Sequence, residues 1–302
     1  MIPETQDVAA LRVGQVVALE QSGPGRYVGY CHGGQVRSRA YGGAVLAHGA
    51  AAIGEALGIG HTDRGLHSLH AYFIASVDPR TPMSFAPTPL RVGRNYSVGR
   101  VDALQEDRLV FTMTASFKRS DPESFRRHPA VVRGVVGPDE SADGFADRGP
   151  DSPIAQVLEY RDAGPLATAV PGELARASWF RHKDDLGQDA VAQACGLVYL
   201  SDVGLASTAF GLRAGQPRPP GAVLGSIDHA LWLHGSAREL RTDDWLLVIQ
   251  RSRVEDDGRT FARGEIWRRD GVLLASVAQE ALIRVPPTHR DGCRRPDERH
   301  RA

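Results

Sequence analysis

Cysteine is scarce in this chain of 302 residues, occurring only at Cys31, Cys195 and Cys293. The three are far apart, odd in number and form no C-x-x-C, which argues against a disulfide framework and against a zinc site. Lysine is scarcer still, present only at Lys118 and Lys183, so arginine carries nearly all the positive charge. That charge is balanced, with 36 Lys+Arg against 36 Asp+Glu, and no global field favours nucleic acid or an anionic membrane. No long apolar run is present. The longest, residues 42–60, is broken by His48 and Glu55 and is poorly suited to span a bilayer. The first residues, MIPETQDVAA, carry acids where a signal peptide carries a basic region followed by an apolar run. The expectation is a reduced, soluble, cytoplasmic protein.

Several motifs are missing as well. No serine has glycine at both −2 and +2, so there is no nucleophile elbow. Nor is there a G-x-G-x-x-G, a G-x-x-x-x-G-K-[ST] or an H-E-x-x-H. His67 and His70 are three apart in a strand-like run, which strict alternation puts on opposite faces, making them poor joint metal ligands. A hydrolase built from this chain is expected to work without metal, without cofactor and without a Ser-His-Asp triad.

What is present is an ordinary globular composition, 42% hydrophobic and 24% charged. Three stretches read as lying outside any core: 119–152, dense in charge, Pro and Gly; 213–222, rich in proline; and a polar basic tail, 286–302. The remainder falls into two blocks with the same order of elements. In the first, YGGAVLAHGAAAIGEALG has no strong polar face, as expected of a buried helix. Strand-like runs follow. In the last of them Phe111, Met113, Ala115 and Phe117 face one way and Thr112, Thr114 and Ser116 the other.

The second block repeats the pattern, with a short helix expected to begin near Asp202, then GSIDHALWLHG, then three strands joined by Asp257-Gly258 and Asp270-Gly271 hairpin turns. Matching the blocks by pattern sets His70-Ala71 against His229-Ala230. A buried helix followed by antiparallel strands is an α+β unit, and two such units can join edge to edge, removing an exposed edge from each.

Several strings within this frame resemble the acyl-CoA thioesterase II (TesB-like) family. They are Tyr41-Gly42-Gly43, HSLHAYFI at 67–74, LRVGRNYSVGRV at 90–101 and FTMTASF at 111–117, then YLSD at 199–202, SIDHALWLH at 226–234, DDWLL at 243–247 and GVLLASVAQEALIR at 271–284. The resemblance spans roughly residues 10–285. It implies an α+β double hot-dog: an N-terminal domain at 1–118, a linker or insertion at 119–152, a C-terminal domain at 153–285 carrying the catalytic residues, and the tail beyond.

It further implies hydrolysis of an acyl thioester, on CoA or on an acyl-carrier protein, by a homo-oligomer of double hot-dogs. The family's Asp, Thr or Ser, and Gln fall on Asp202, Ser226 and Gln279. Substrate contacts are expected from Gly42, Gly43, His70, Tyr72, Arg91, Tyr96, Arg100 and His229. Two departures stand out: Ser226 replaces the commoner Thr, and the helix opens Gly-Gly-Ala at Ala44 where relatives commonly read Gly-Gly-Gln.

The residues taken alone say less. Asp202, placed before a helix, reads first as an N-cap, and Ser226 as a strand-start hydroxyl. His70 and His229 read as core or cleft histidines, Arg91 and Arg100 as solvated unless a CoA phosphate recruits them, and Trp232 and Trp245 as core. Gln279 is more telling. Alternation puts it on a face with Ala275, Val277, Ala281 and Ile283, and a buried amide needs partners. Two rival functions stand beside hydrolysis: chemistry on an enoyl thioester by the same fold, and non-catalytic binding of an acyl thioester.

Overall fold

The computed structural model describes Gly14 and residues 17–34, 38–121, 134–146, 152–212, 221–235 and 239–284. The tail at 286–302, with Cys293, lies outside the described residues, as do half of the 119–152 stretch and most of 213–222.

In the first half, β1 (Glu20–Gly23) and β2 (Arg26–Gly29) precede helix α1 (Gly42–Ala56), which is followed by β3 (Arg64–Phe73), β4 (Met83–Val92), β5 (Tyr96–Gln105) and β6 (Arg108–Arg119). The second half holds β7 (Ala142–Asp143), α2 (Pro153–Val157), β8 (Leu158–Leu166), β9 (Leu174–His182) and α3 (Ala190–Ser201). It continues with β10 (Val223–Ser226), β11 (Asp228–Leu233), β12 (Leu246–Asp256), β13 (Arg259–Arg268) and β14 (Leu273–Arg284). All fourteen strands belong to one sheet, in the order β1-β2-β4-β5-β6-β3-β11-β14-β13-β12-β9-β8-β7, with β10 added against β14.

That order is a palindrome of the two halves. β3 and β11 are the inner edge strands, and their antiparallel pairing (Asp228↔Tyr72 to Trp232↔Ser68) fuses two sheets into one. Each half wraps one apolar helix, giving the α+β double hot-dog. Helix α1 is buried along most of its length, including Ala44, Leu46, Ala47 and Ile53, as its lack of a polar face predicts. β6 and β14 alternate as expected, with Phe111, Met113, Ala115, Phe117 and Gln279 inward.

Four expectations are corrected. The buried helix of the second half is α3, ending at Ser201, and Asp202 is its C-cap rather than the N-cap of a helix that follows. The start signal lay upstream, in Asp189, whose side chain accepts from the Val191 N–H and caps the apolar run AVAQACGLVYLS. Second, His70 and His229, set against each other when the blocks are matched, lie on opposite faces of the sheet. In the ladder His70 lies opposite Ala230, and Ala71 opposite His229. Opposite residues share a face, so His229 points in and His70 out; a single-residue slip exchanges the faces.

Third, a bulge between Leu66 and Ser68 inserts one residue into β3. His67 therefore reaches Ser116 and the Tyr96 ring on the outer face, where His70 also sits, instead of the face opposite it. Fourth, Trp245 is buried but Trp232 is 37% exposed, with the His70 ring against it edge-on.

The segment Ala190–Ala209 is long and apolar enough, by length and composition, to cross a membrane, and 61% of its most apolar window is buried inside this fold. Its apolar character matches its place against the sheets.

Candidate active site

The antiparallel packing of α1 against α3 brings the C-terminus of α3 to the N-terminus of α1. The approach is close because two glycines permit it. A Cβ on Gly42 would lie 2.7 Å from Asp202 Oδ2, and one on Gly43 only 2.2 Å from the Tyr199 carbonyl oxygen. The Tyr41 hydroxyl donates to that same carbonyl at 2.8 Å, tying the start of one helix to the end of the other. Asp202 thus sits at the positive end of α1, where the Gly43 backbone N–H donates to its carboxylate.

Ser226 and Gln279 arrive from adjacent strands. β10 lies on the far end of β14, with Ser226 opposite Ala281, so its hydroxyl comes beside the inward Gln279. The Gln279 amide nitrogen donates to Asp202 Oδ1 at 2.7 Å and to Ser226 Oγ at 3.0 Å, and lies 3.3 Å from His229 Nδ1. Its carbonyl oxygen Oε1 is buried with no hydrogen-bond partner among the described residues. Burial pushes the Asp202 carboxyl up to about 6, against the opposing pull of Gln279 and the Gly43 N–H. Burial lowers the His229 imidazole to about 3, so His229 is neutral beside that carboxylate.

Asp202 and Ser226 open onto a cavity of about 420 Å³, lined by both halves. Tyr41, Val45, Phe73, Val77, Ile154 and Leu224 make most of it apolar, Gly42 lies at its wall, and Arg39 is the cation among its lining residues. The turn after Asp202 is held from β12: the Gln250 amide donates to the Val203 carbonyl at 2.7 Å, and Thr208 Oγ1 donates to Gln250 Oε1 at 3.3 Å. Among the described residues no group of three or more His, Cys, Asp and Glu is arranged to hold a metal ion.

The residues expected at the site therefore separate. Asp202, Ser226, Gln279, Gly42 and Gly43 meet within hydrogen-bonding or van der Waals reach. His229 is fully buried behind Gln279 and does not line the cavity. His70, Tyr72, Tyr96 and Arg100 project from the outer face of the sheet, away from this cavity, by the parity of their strands, and Arg91 joins them because a bulge between Pro89 and Arg91 shifts the parity of β4. Arg100 is paired there with Asp102 at 2.8 Å. Sequence reading missed Tyr41 and Gln250. A signal existed for Gln250, a lone amide within the apolar run LLVIQ, of the same kind that exposed Gln279.

Two family models account for most of the chain: the acyl-CoA thioesterase N-terminal domain matches residues 32–118, and the acyl-CoA thioesterase C-terminal domain matches 136–283. The chain belongs to the acyl-CoA thioesterase family. Among its relatives, acyl-CoA thioesterase 2 of Haemophilus influenzae is 31% identical over 259 residues, covering 81% of this chain and 87% of that one. Acyl-coenzyme A thioesterase 8 of Mus musculus is 28% identical over 301 residues, covering 93% and 91% respectively. The crystal structure of an acyl-CoA thioesterase II, TesB2, from Mycobacterium marinum superposes with a TM-score of 0.76 at 28% identity, covering 91% of this chain and 99% of that one.

Proposed function

We propose that this family member hydrolyses acyl-CoA thioesters with a water molecule activated at Asp202. The observation that carries the reading is the Gln279 amide, hydrogen-bonded to both Asp202 and Ser226 at the wall of a largely apolar cavity.

Water occupies the mouth of this cluster, donating to the Asp202 carboxylate and held by the Ser226 hydroxyl. A carboxyl with its pKa near 6 is ionised at neutral pH, yet basic enough to take a proton in the transition state. As Asp202 removes the proton, the water oxygen bonds to the thioester carbon. The carbonyl oxygen becomes an oxyanion facing the Gly42 backbone N–H at the positive end of α1. The adduct collapses, the C–S bond breaks, and the thiolate takes the proton held by Asp202. The sum is thioester plus water giving acid plus thiol. No covalent acyl-enzyme is required, since a thioester carbonyl is electrophilic enough for an oriented water.

The acyl group lies along Tyr41, Val45, Phe73 and Leu224. CoA is the preferred carrier, with an acyl-carrier protein as the alternative. The working domain limits are 1–118 and 153–285, with 119–152 as an insertion and all three reactive side chains from the second unit. The assembly is a cytoplasmic homo-oligomer, for which the outer sheet face, with Tyr72 59% and Trp232 37% exposed, is a suitable contact.

The direct test is thiol release from short-, medium- and long-chain acyl-CoAs, comparing wild type with Asp202→Asn. Release that disappears in the variant supports the reading. An active, folded Asn variant sinks it. Absence of release from wild type, together with an adduct on a 2-enoyl thioester, moves the chemistry to conjugate addition.

A further inference from the structure

His229 touches neither the cavity nor solvent, yet it stands 3.3 Å from the amide nitrogen of Gln279. Its other nitrogen, Nε2, is 2.9 Å from the hydroxyl oxygen of Ser201, the last residue of α3. The Ser201 proton is already committed, donating to the Val198 carbonyl at 2.7 Å. Ser201 Oγ can then only accept, so Nε2 carries the imidazole proton and Nδ1 presents a lone pair. The Gln279 amide therefore meets two acceptors on one side, His229 Nδ1 and Asp202 Oδ1, which are themselves 3.9 Å apart and share no proton. The NH₂ end has two protons for these acceptors: one goes to Asp202 Oδ1, and the other is shared between Ser226 Oγ at 3.0 Å and His229 Nδ1 at 3.3 Å. A reversed amide would set Oε1 against a carboxylate and a lone pair.

From this arrangement, and resting on the hydrolytic reading above, we infer that His229 is a positioning residue: through Ser201 it is held as the Nε2–H tautomer and locks the Gln279 carboxamide with its N–H groups toward Asp202 and Ser226. The relay runs from the Val198 carbonyl through Ser201, His229 and Gln279 to Asp202, so the end of α3 orients the carboxylate that caps it. Ser226, which accepts from the same nitrogen, keeps its own proton for the cavity. The low pKa of His229 is consistent with an imidazole that stays neutral throughout the working pH range.

Three variants separate the role from simple packing. In His229→Asn, Oδ1 replaces Nδ1 as the acceptor. In His229→Gln the new amide stands nearer Nε2 and leaves the Gln279 side unmatched. In His229→Phe both nitrogens are lost. The expected result is kcat lowered about ten- to a hundredfold in the Gln and Phe variants, KM within about twofold, and most of kcat recovered in the Asn variant.

Equal losses in the Asn and Gln variants, or a rise in KM at constant kcat, overturn the inference. So does a loss of activity that tracks only the fall in Tm. The imidazole ¹⁵N spectrum of the wild type gives an arm independent of turnover. A protonated Nε2 and bare Nδ1 at His229 support the lock, and a protonated Nδ1 overturns it. If wild type hydrolyses no acyl-CoA, or Asp202→Asn still does, the hydrolytic reading fails while the nitrogen assignment still decides the tautomer.

Discussion

The two halves of the molecule carry the same helix end with different residues on it. Helix α1 finishes at Leu57 (φ −92°, ψ −4°) and α3 finishes at Asp202 (φ −87°, ψ −11°), so the backbone is alike and the side chains are opposite in character. Around Leu57 the neighbours are apolar: a Cβ on Gly99 would lie 3.4 Å from the Leu57 side chain, and one on Gly54, three residues before Leu57, would face Val191 and Phe117. Around Asp202, β11 and β14 supply His229 and Gln279. The glycines differ accordingly. A Cβ on Gly42 would collide with Asp202, whereas one on Gly54, at the far end of α1, meets Val191 at an ordinary 3.7 Å. A duplicated fold offers two equivalent junctions, and here one holds a hydrogen-bonded cluster of buried polar side chains while the other is packed with apolar ones.

The sharpest way to break this comparison is Asp202→Asn. Thiol release should fall by roughly a thousandfold or more, the range expected when a general base is removed. The same variant should gain stability. Because folding raises the Asp202 pKa from 3.8 to about 6, its favourable contribution is present below pH 4 and is lost as pH rises through about 6. Denaturant melts should therefore show Asn ahead of Asp by on the order of 3 kcal/mol at pH 8, converging at pH 4. Wild-type turnover should rise with pH through about 6, and a profile flat from pH 5 to 8 would count against Asp202 as the base.

Gln279→Leu comes next. It fills the space but removes both donated bonds, and kcat should drop on the order of a hundredfold in single-turnover assays. Gly42→Ala should lower kcat about tenfold by displacing the carboxylate, with the helix retained, because a Cβ there sits 2.7 Å from Oδ2 and 3.2 Å from Phe73. Gly54→Ala is the matched control: activity unchanged and stability higher by up to about 1 kcal/mol from helix propensity, read from Tm. A kcat loss in both glycine variants would erase the distinction between the two ends.

The hairpin turns offer the smallest effect. In β12–β13 the turn is Asp257-Gly258, whereas in β5–β6 Glu106 and Asp107 both take positive φ, 50° and 62°, without a glycine. Asp107→Gly should stabilise the first half by about 1 kcal/mol, measured by chemical denaturation.

Much of this was legible in the order of residues, and where it failed the failures share a cause. Strand alternation identified the inward row of β14, and with it Gln279 as a buried amide in need of partners. Resemblance joined Asp202 and Ser226 to it, although 77 and 53 residues separate them from Gln279 in sequence. Parity did not carry across the bulge in β3, and His70, assigned by resemblance to substrate contact, faces away from the cavity. Arg91 and Arg100 were assigned by charge, which says nothing about which side of a sheet a strand presents.

The sequence by itself determined the apolar helix of the first half, the alternating strands, the absence of metal and elbow motifs, and Gln279 as a buried amide, because periodicity and residue chemistry are local properties. Only the tertiary structure decided that Asp202 ends one helix and faces the start of another, that Ser201 and His229 stand behind Gln279, and that the cavity draws its wall from both halves. Those depend on packing between segments distant in sequence, and on a register that one inserted residue is enough to change.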